Sequence, residues 1–190
     1  MTRHRITFVL LGALLALPAC DTPADPGLEA GDERTPVPAA LVKARELPMR
    51  GTFVSDGSLV PQADCPGLRF IGQGGGTETH TGRYTIMTID CVIGNAFTGS
   101  FTKVAANGDL LTGTYAGSTE VLEAPSASSP LLVLSVTGTL NFTGGTGRFG
   151  GAGGTEAMQG RQSIDVSQAG LPVHTVLDLE GTITVVHPAQ

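Results

Sequence analysis

The chain has 190 residues, a formal net charge of −6 at pH 7, 27 glycines and no tryptophan. An acidic chain without a basic run is a poor candidate for nucleic-acid binding, because phosphate contacts require Lys and Arg. Abundant Gly and Thr also argue against a helical bundle, so we expect one domain of many short strands with no nucleic-acid partner.

The N-terminus begins with a basic segment, Arg3 to Arg5, followed by an uncharged apolar run from Ile6 to Leu17. A secretory signal has an apolar region of about 7–15 residues, whereas a membrane-spanning helix needs about 20. The run ends in Leu17-Pro18-Ala19-Cys20, which resembles the lipobox of bacterial lipoproteins. The resemblance implies that residues 1–19 are a signal peptide and that lipid on Cys20 anchors the protein to a membrane of the bacterial cell envelope.

The alternative is an ordinary secretory signal cleaved after Ala19, which would leave Cys20 as a thiol. Asp21 resembles a signal for retention in the inner membrane of enteric bacteria, but other lineages do not all follow that rule, so the inner and outer membranes both remain open. In either case the released chain would be acidic and would face the periplasm or the cell surface.

Residues 20–48 are rich in Pro, Ala and charged side chains. Such a segment has little apolar surface to bury, and its prolines interrupt any long helix. We therefore predict a flexible linker with a short helical turn or two over residues 38–47. The linker would separate the membrane from a folded domain over residues 49–190.

The chain has three cysteines. If Cys20 carries lipid, Cys65 and Cys91 remain as a pair in an oxidising compartment, which favours a disulfide. A metal or redox site is the alternative, but there is no Cys-x-x-Cys motif and His80 is the one histidine nearby. We therefore predict a structural disulfide.

Beyond Met49, apolar and polar residues alternate, as expected of strands with one face in a core and one in water. The pattern is clearest over residues 131–143 and 175–186, and Asn107-Gly108 is a strong hairpin signal between two further strands. The predicted strands lie near residues 50–55, 67–72, 81–93, 97–102, 111–115, 131–143, 147–166 and 175–186. About eight strands without an intervening helix predict an all-β, single antiparallel barrel.

The glycine-rich run from Phe142 to Gly154 contains G-x-G-x-x-G at Gly145, Gly147 and Gly150. A dinucleotide site requires a helix directly after this motif. The residues that follow, TEAMQGRQSIDV, end in a strand-like pattern. We therefore predict no bound cofactor.

The same run resembles a motif of secreted bacterial proteins with an allene oxide cyclase or dirigent-like barrel. Thr79-His80-Thr81-Gly82-Arg83 and the segment from Ala105 to Tyr115 support the resemblance, which spans roughly residues 67–154. It implies an eight-stranded barrel with an interior cavity. The glycines of the run would let the chain pass close to a neighbouring strand, and we expect Arg148 or Phe149 to pack across one end of the barrel. It carries over no catalytic residue.

An eight-stranded barrel is either filled by its side chains or just wide enough for one small ligand. If it is hollow, the alternation places these side chains on the cavity wall: Phe97, Phe101, Tyr115, Leu134, Phe142, Leu179 and Ile183. Tyr84 and Asp90 share a register and are candidate inward polar residues. Asp90 would then have a raised pKa unless it is paired, for instance with Arg83 or Arg148. The alternative, a solvated acid at the end of a strand, is the one we favour.

Glu78 and His80 lie two residues apart, but further metal ligands are not evident, so we interpret them as part of a polar loop and predict no metal site. Three functions follow from the pattern. The first is an anchored barrel that binds a small apolar ligand, the second a structural or interaction module of the envelope, and the third a cyclase or isomerase-like enzyme. The sequence favours a non-enzyme and does not indicate the oligomeric state.

Overall fold

The computed structural model describes residues 43–187, which form eight strands and one short 3-10 helix. The strands are β1 (Lys43–Gln62), β2 (Cys65–Glu78), β3 (Gly82–Ile93), β4 (Ala96–Ala105), β5 (Leu110–Glu123), β6 (Leu131–Gly145), β7 (Gly153–Asp165) and β8 (Pro172–His187). The 3-10 helix spans Gly147–Phe149 between β6 and β7.

Each strand pairs antiparallel with the next, and β8 pairs with β1, so the sheet closes into a barrel. The burial of β3 alternates along the strand: Ile86 points inward, whereas its neighbours Thr85 and Met87 are exposed. This is the period of two that a half-buried strand requires. The predicted all-β, eight-stranded antiparallel barrel is therefore confirmed.

The first strand begins earlier than predicted. Residues 43–48, which we assigned to the linker and in part to a helical turn, pair with the end of β8. Met49 is completely buried and Leu47 packs against the core, so burial of these apolar side chains extends the strand. The predicted signal peptide, Cys20 and the linker up to residue 42 lie outside the described residues.

The predicted strand over residues 147–166 begins only at Gly153. Before it, Gly147 has φ +54, a left-handed conformation that glycine adopts readily, and a Cβ there would overlap the carboxylate of Asp109. The resulting turn directs Phe149, which is 1% exposed, into the main hydrophobic cluster. Phe149 thus closes one end of the barrel, as we expected of the residues after the glycine-rich run.

The two ends of the barrel differ. The closed end contains Phe149 and the turns at residues 79–81, 106–109 and 146–152. The open end contains the turns at residues 63–64, 94–95, 124–130 and 166–171. The predicted disulfide is confirmed: Cys65 and Cys91 are bonded with their Cα atoms 5.5 Å apart, and the bond ties the start of β2 to β3 near the open end.

Candidate functional site: the barrel cavity

The half of the barrel nearer the open end encloses a cavity of about 380 Å³. Its wall is mainly aliphatic and aromatic, and it reaches exposed residues of the turns at the open end, among them Gly94, Asn95 and Val166. The volume and the lining of this cavity are those of a small-molecule binding site, since such sites typically measure about 300–1,000 Å³ and are mostly apolar. The cavity is thus a hollow, apolar site with access from one end.

Five of the seven predicted lining residues border this cavity: Phe97, Phe101, Tyr115, Leu134 and Leu179. The other two, Phe142 and Ile183, do not border it. They are buried in the packed cluster toward the closed end, where Phe142 meets the ring of Phe101 edge-on at 6.1 Å between centroids. Alternation assigns a residue to the inner face, but the depth of the cavity depends on which inner side chains meet across the barrel.

Asp90 is buried in the cavity wall, so our expectation of a solvated acid is wrong. Its Oδ2 accepts a hydrogen bond of 2.8 Å from the Tyr115 hydroxyl, and its Oδ1 has no partner among the described residues. Tyr115 reaches it from β5 because Gly99 of β4 pairs with both residues and has no side chain between them. A Cβ at Gly99 would clash with the Asp90 side chain.

Burial raises the pKa of Asp90 to about 6, and the hydrogen bond from Tyr115 and the charge of Arg69 act in the opposite direction. The two arginines that we considered from sequence as partners of Asp90 do not pair with it. Arg83 is exposed, and Arg148 donates to the Thr81 carbonyl at 3.1 Å. Burial, followed by the charge of Asp90, raises the pKa of the Tyr115 hydroxyl above its usual range. A buried carboxyl that titrates near neutrality can hold or release a proton toward a ligand.

A second polar spot lies on the opposite side of the barrel. Ser55 of β1 pairs directly with Thr175 of β8, which in turn pairs with Gln162 of β7, and all three border the cavity. The hydroxyls of Ser55 and Thr175 are buried without a hydrogen-bond partner in the described part of the chain. Buried polar atoms in native proteins are usually satisfied, so each is a contact that a ligand or water can supply.

A buried charge cluster beneath the cavity was missed by the sequence analysis. Lys103 of β4 forms ion pairs with Glu78 and with Glu156 of β7, at 3.2 Å to the latter, and all three side chains are fully buried. Thr81 donates to the second oxygen of Glu78 at 2.8 Å, whereas Glu156 Oε1 has no partner among residues 43–187. The interpretation of Glu78 as part of a polar loop is therefore wrong.

Aromatic rings surround the ammonium group of this cluster. The Lys103 Nζ atom lies 5.0 Å from the ring centroid of Tyr84 and 5.5 Å from those of Phe101 and Phe142. Tyr84 is buried, as we expected of an inward residue, and its hydroxyl donates to the Thr52 carbonyl at 3.1 Å. Burial raises the pKa of Glu156 to about 7, and the charge of Lys103 counteracts this. Lys103 borders the cavity, but its charge is paired with those of the two glutamates.

Among residues 43–187 no group of His, Cys, Asp and Glu side chains is arranged to hold a metal ion. His80, the nearest histidine to Glu78 in sequence, lies 3.0 Å from the Pro48 carbonyl through its Nε2. No helix in the described part of the chain is long and apolar enough to span a membrane.

Comparison with known proteins adds no identification. No family model matches the chain, and neither a curated protein nor a solved structure matches it. The cavity and its polar residues therefore carry the functional interpretation.

Proposed function

We propose that this protein is a lipid-anchored envelope protein whose barrel binds a small apolar molecule. The observation that carries the proposal is the apolar cavity of about 380 Å³. At about 30 Å³ per molecule, the cavity has room for roughly a dozen waters. Most of these would face side chains that offer no hydrogen bond, so their replacement by an apolar ligand is favourable.

The packing of the closed end supports the same function. Phe149 and Ile183 are essentially inaccessible and fill that end, so the hollow region is confined to the half that opens between the turns. Protein interiors are normally packed without large voids. A hollow half beside a well-packed half is therefore the arrangement expected of a binding site.

Native mass spectrometry of the protein released from membranes tests ligand binding. We expect the unaltered chain to carry, or to take up, an apolar small molecule. Val136→Phe, which adds a ring at a buried lining position, should weaken this uptake, whereas Val176→Phe, the same change at an exposed position of β8, should not affect it. A folded, unaltered protein that takes up no apolar compound would contradict the proposal.

The anchor is tested separately. The lipobox resemblance predicts that cells fed a radiolabelled fatty acid transfer the label to this protein. Cys20→Ser should remove both the label and the membrane association. A soluble, unlabelled protein in unaltered cells would contradict lipidation and would leave the cavity argument untouched.

Two exposed apolar pairs support a second candidate, the structural or interaction module. On the outer face of the barrel Val54 pairs directly with Val176, and Ile71 pairs with Ile89, and all four are well exposed. Exposed apolar side chains that contact one another offer apolar surface to a partner. Crosslinking in cells through a photoreactive residue at position 89 should then trap a partner protein, and a failure to trap one would contradict this candidate.

A further inference from the structure

Three buried polar atoms of the cavity wall have no hydrogen-bond partner in the described structure: Asp90 Oδ1, Ser55 Oγ and Thr175 Oγ1. Their residues are only 6%, 2% and 6% exposed, and all three border the cavity. A ligand in the cavity can therefore supply the missing hydrogen-bond partners of these atoms. The two hydroxyls can donate or accept and do not select the charge of a ligand, whereas an ionised carboxylate accepts only.

The charges around the cavity identify which group Asp90 selects. Lys103, the cation that borders the cavity, is held by Glu78 and Glu156. The charge of Arg69 lowers the pKa of Asp90, but the Arg69 guanidinium pairs with Asp64 at 2.6 Å, and no basic side chain in the described part of the structure forms an ion pair with Asp90. A buried charge is costly unless it is paired, so a cationic group on the ligand is favoured over a neutral donor and an anion is disfavoured.

We propose that the ligand is an apolar amine whose ammonium group donates a hydrogen bond to Asp90 and lies against the mainly apolar wall with the rest of its surface. The inference rests on the proposed function, because it requires the cavity to be a binding site. The space for roughly a dozen waters, each with a share of about 30 Å³, limits the ligand to a similar number of non-hydrogen atoms. A primary amine on a ten-carbon chain matches that size.

Calorimetric titration with decylamine, decanol and decanoic acid tests the proposal, because the three compounds share a chain and differ in the polar group. The chain is used as purified from cells, in nanodiscs, with empty nanodiscs as the background. We expect decylamine to bind about tenfold more tightly than decanol, as a hydrogen bond to a charged group implies, and decanoic acid to bind most weakly.

Asp90→Asn keeps the shape of the side chain and removes its charge, so the preference for decylamine over decanol should fall to near one. Asp178→Asn, the same change at an exposed position of β8, should leave the preference unchanged. The ratio of the decylamine and decanol affinities of the unaltered protein tests the proposal even if the Asp90→Asn variant does not fold.

The outcomes separate the two proposals. Equal binding of decanol and decylamine to the unaltered protein would overturn the amine inference and leave the proposed function standing. Binding of none of the three compounds would overturn both. Tight binding of decanoic acid would also overturn the inference, because an anion cannot compensate the charge of Asp90.

Discussion

The Tyr115 hydroxyl donates a hydrogen bond of 2.8 Å to Asp90 Oδ2 from two strands away, over the bare backbone of Gly99. The bond satisfies one oxygen of a buried carboxylate. The other oxygen, Oδ1, has no partner among the described residues and is available to a ligand in the cavity. This pair is thus the link between the architecture of the barrel wall and the chemistry that the cavity offers.

Tyr115→Phe should raise the pKa of Asp90 above its value of about 6, because it removes a donor that stabilises the ionised form. It should also lower the free energy of unfolding by about 1–3 kcal/mol, the cost of an unsatisfied buried group. Carboxyl-detected NMR titration and denaturant unfolding at pH 8 measure the two effects. Tyr84→Phe is the control, because its hydroxyl donates to a backbone carbonyl and its removal should not change the pKa of Asp90.

Lys103→Met should lower the free energy of unfolding by about 3–5 kcal/mol at pH 8, because it leaves two buried glutamates without their cation. Adding Glu156→Gln to this variant should restore part of the loss. Arg161→Met, which removes an exposed cation from β7, should change stability by no more than about 0.5 kcal/mol. A loss at position 103 no larger than that control would contradict the assigned role of the cluster.

The stability of the protein should fall as the pH rises through the weakly acidic range. Folding raises the pKa of Glu156 from 4.5 to about 7 and that of Asp90 from 3.8 to about 6, so the folded state holds protons that the unfolded state releases. The free energy of unfolding therefore decreases between about pH 4 and pH 7 and levels off above that range. The contribution of Glu156 is on the order of 3 kcal/mol.

Glu156→Gln isolates this contribution. Denaturant unfolding at several pH values should show a shallower decrease than in the unaltered protein, because one of the two titrating groups is gone. Glu180→Gln at an exposed position of β8 should keep the original slope. If the profile of Glu156→Gln matched that of the unaltered protein, Glu156 would not be a buried titrating group.

Removal of the disulfide by replacement of both Cys65 and Cys91 with serine should cost about 3.5 kcal/mol, the loop-closure entropy for a separation of 26 residues. Thermal unfolding with and without reductant measures the effect. Reductant should destabilise the unaltered protein by a similar amount and should not affect the double variant. Insensitivity of the unaltered protein to reductant would contradict a stabilising role for the bond.

The barrel could be predicted from sequence because its strands alternate cleanly. Leu134, Val136 and Leu140 of β6, for example, are all buried at the positions that the period of two assigns to the inner face. The disulfide could be predicted from the oxidising compartment that the lipobox resemblance implies and from the two cysteines that remain if Cys20 carries lipid. Both inferences depend on local pattern or on counting, which a single sequence provides.

The charge cluster could also have been found from the pattern. Lys103 continues the inward register of Phe101, and Glu156 shares the inward register of Met158, but charged residues are rarely fully buried and we assigned neither to the interior. Burial of one lysine became feasible only because β2 and β7 place a glutamate on each side of it. That juxtaposition depends on closure of the barrel and cannot be read from any one strand.

The hollow half of the barrel is the central claim, and fluorescence titration with 1-naphthylamine, a neutral and largely apolar probe that is small enough for the cavity, tests it most directly. We expect saturable, one-to-one binding to the unaltered protein and to Val176→Phe, and weaker binding to Val136→Phe with the fold intact by circular dichroism. Equal binding by all three proteins would place the probe on the outer surface. That result, or no binding to the unaltered protein, would contradict a ligand-binding cavity.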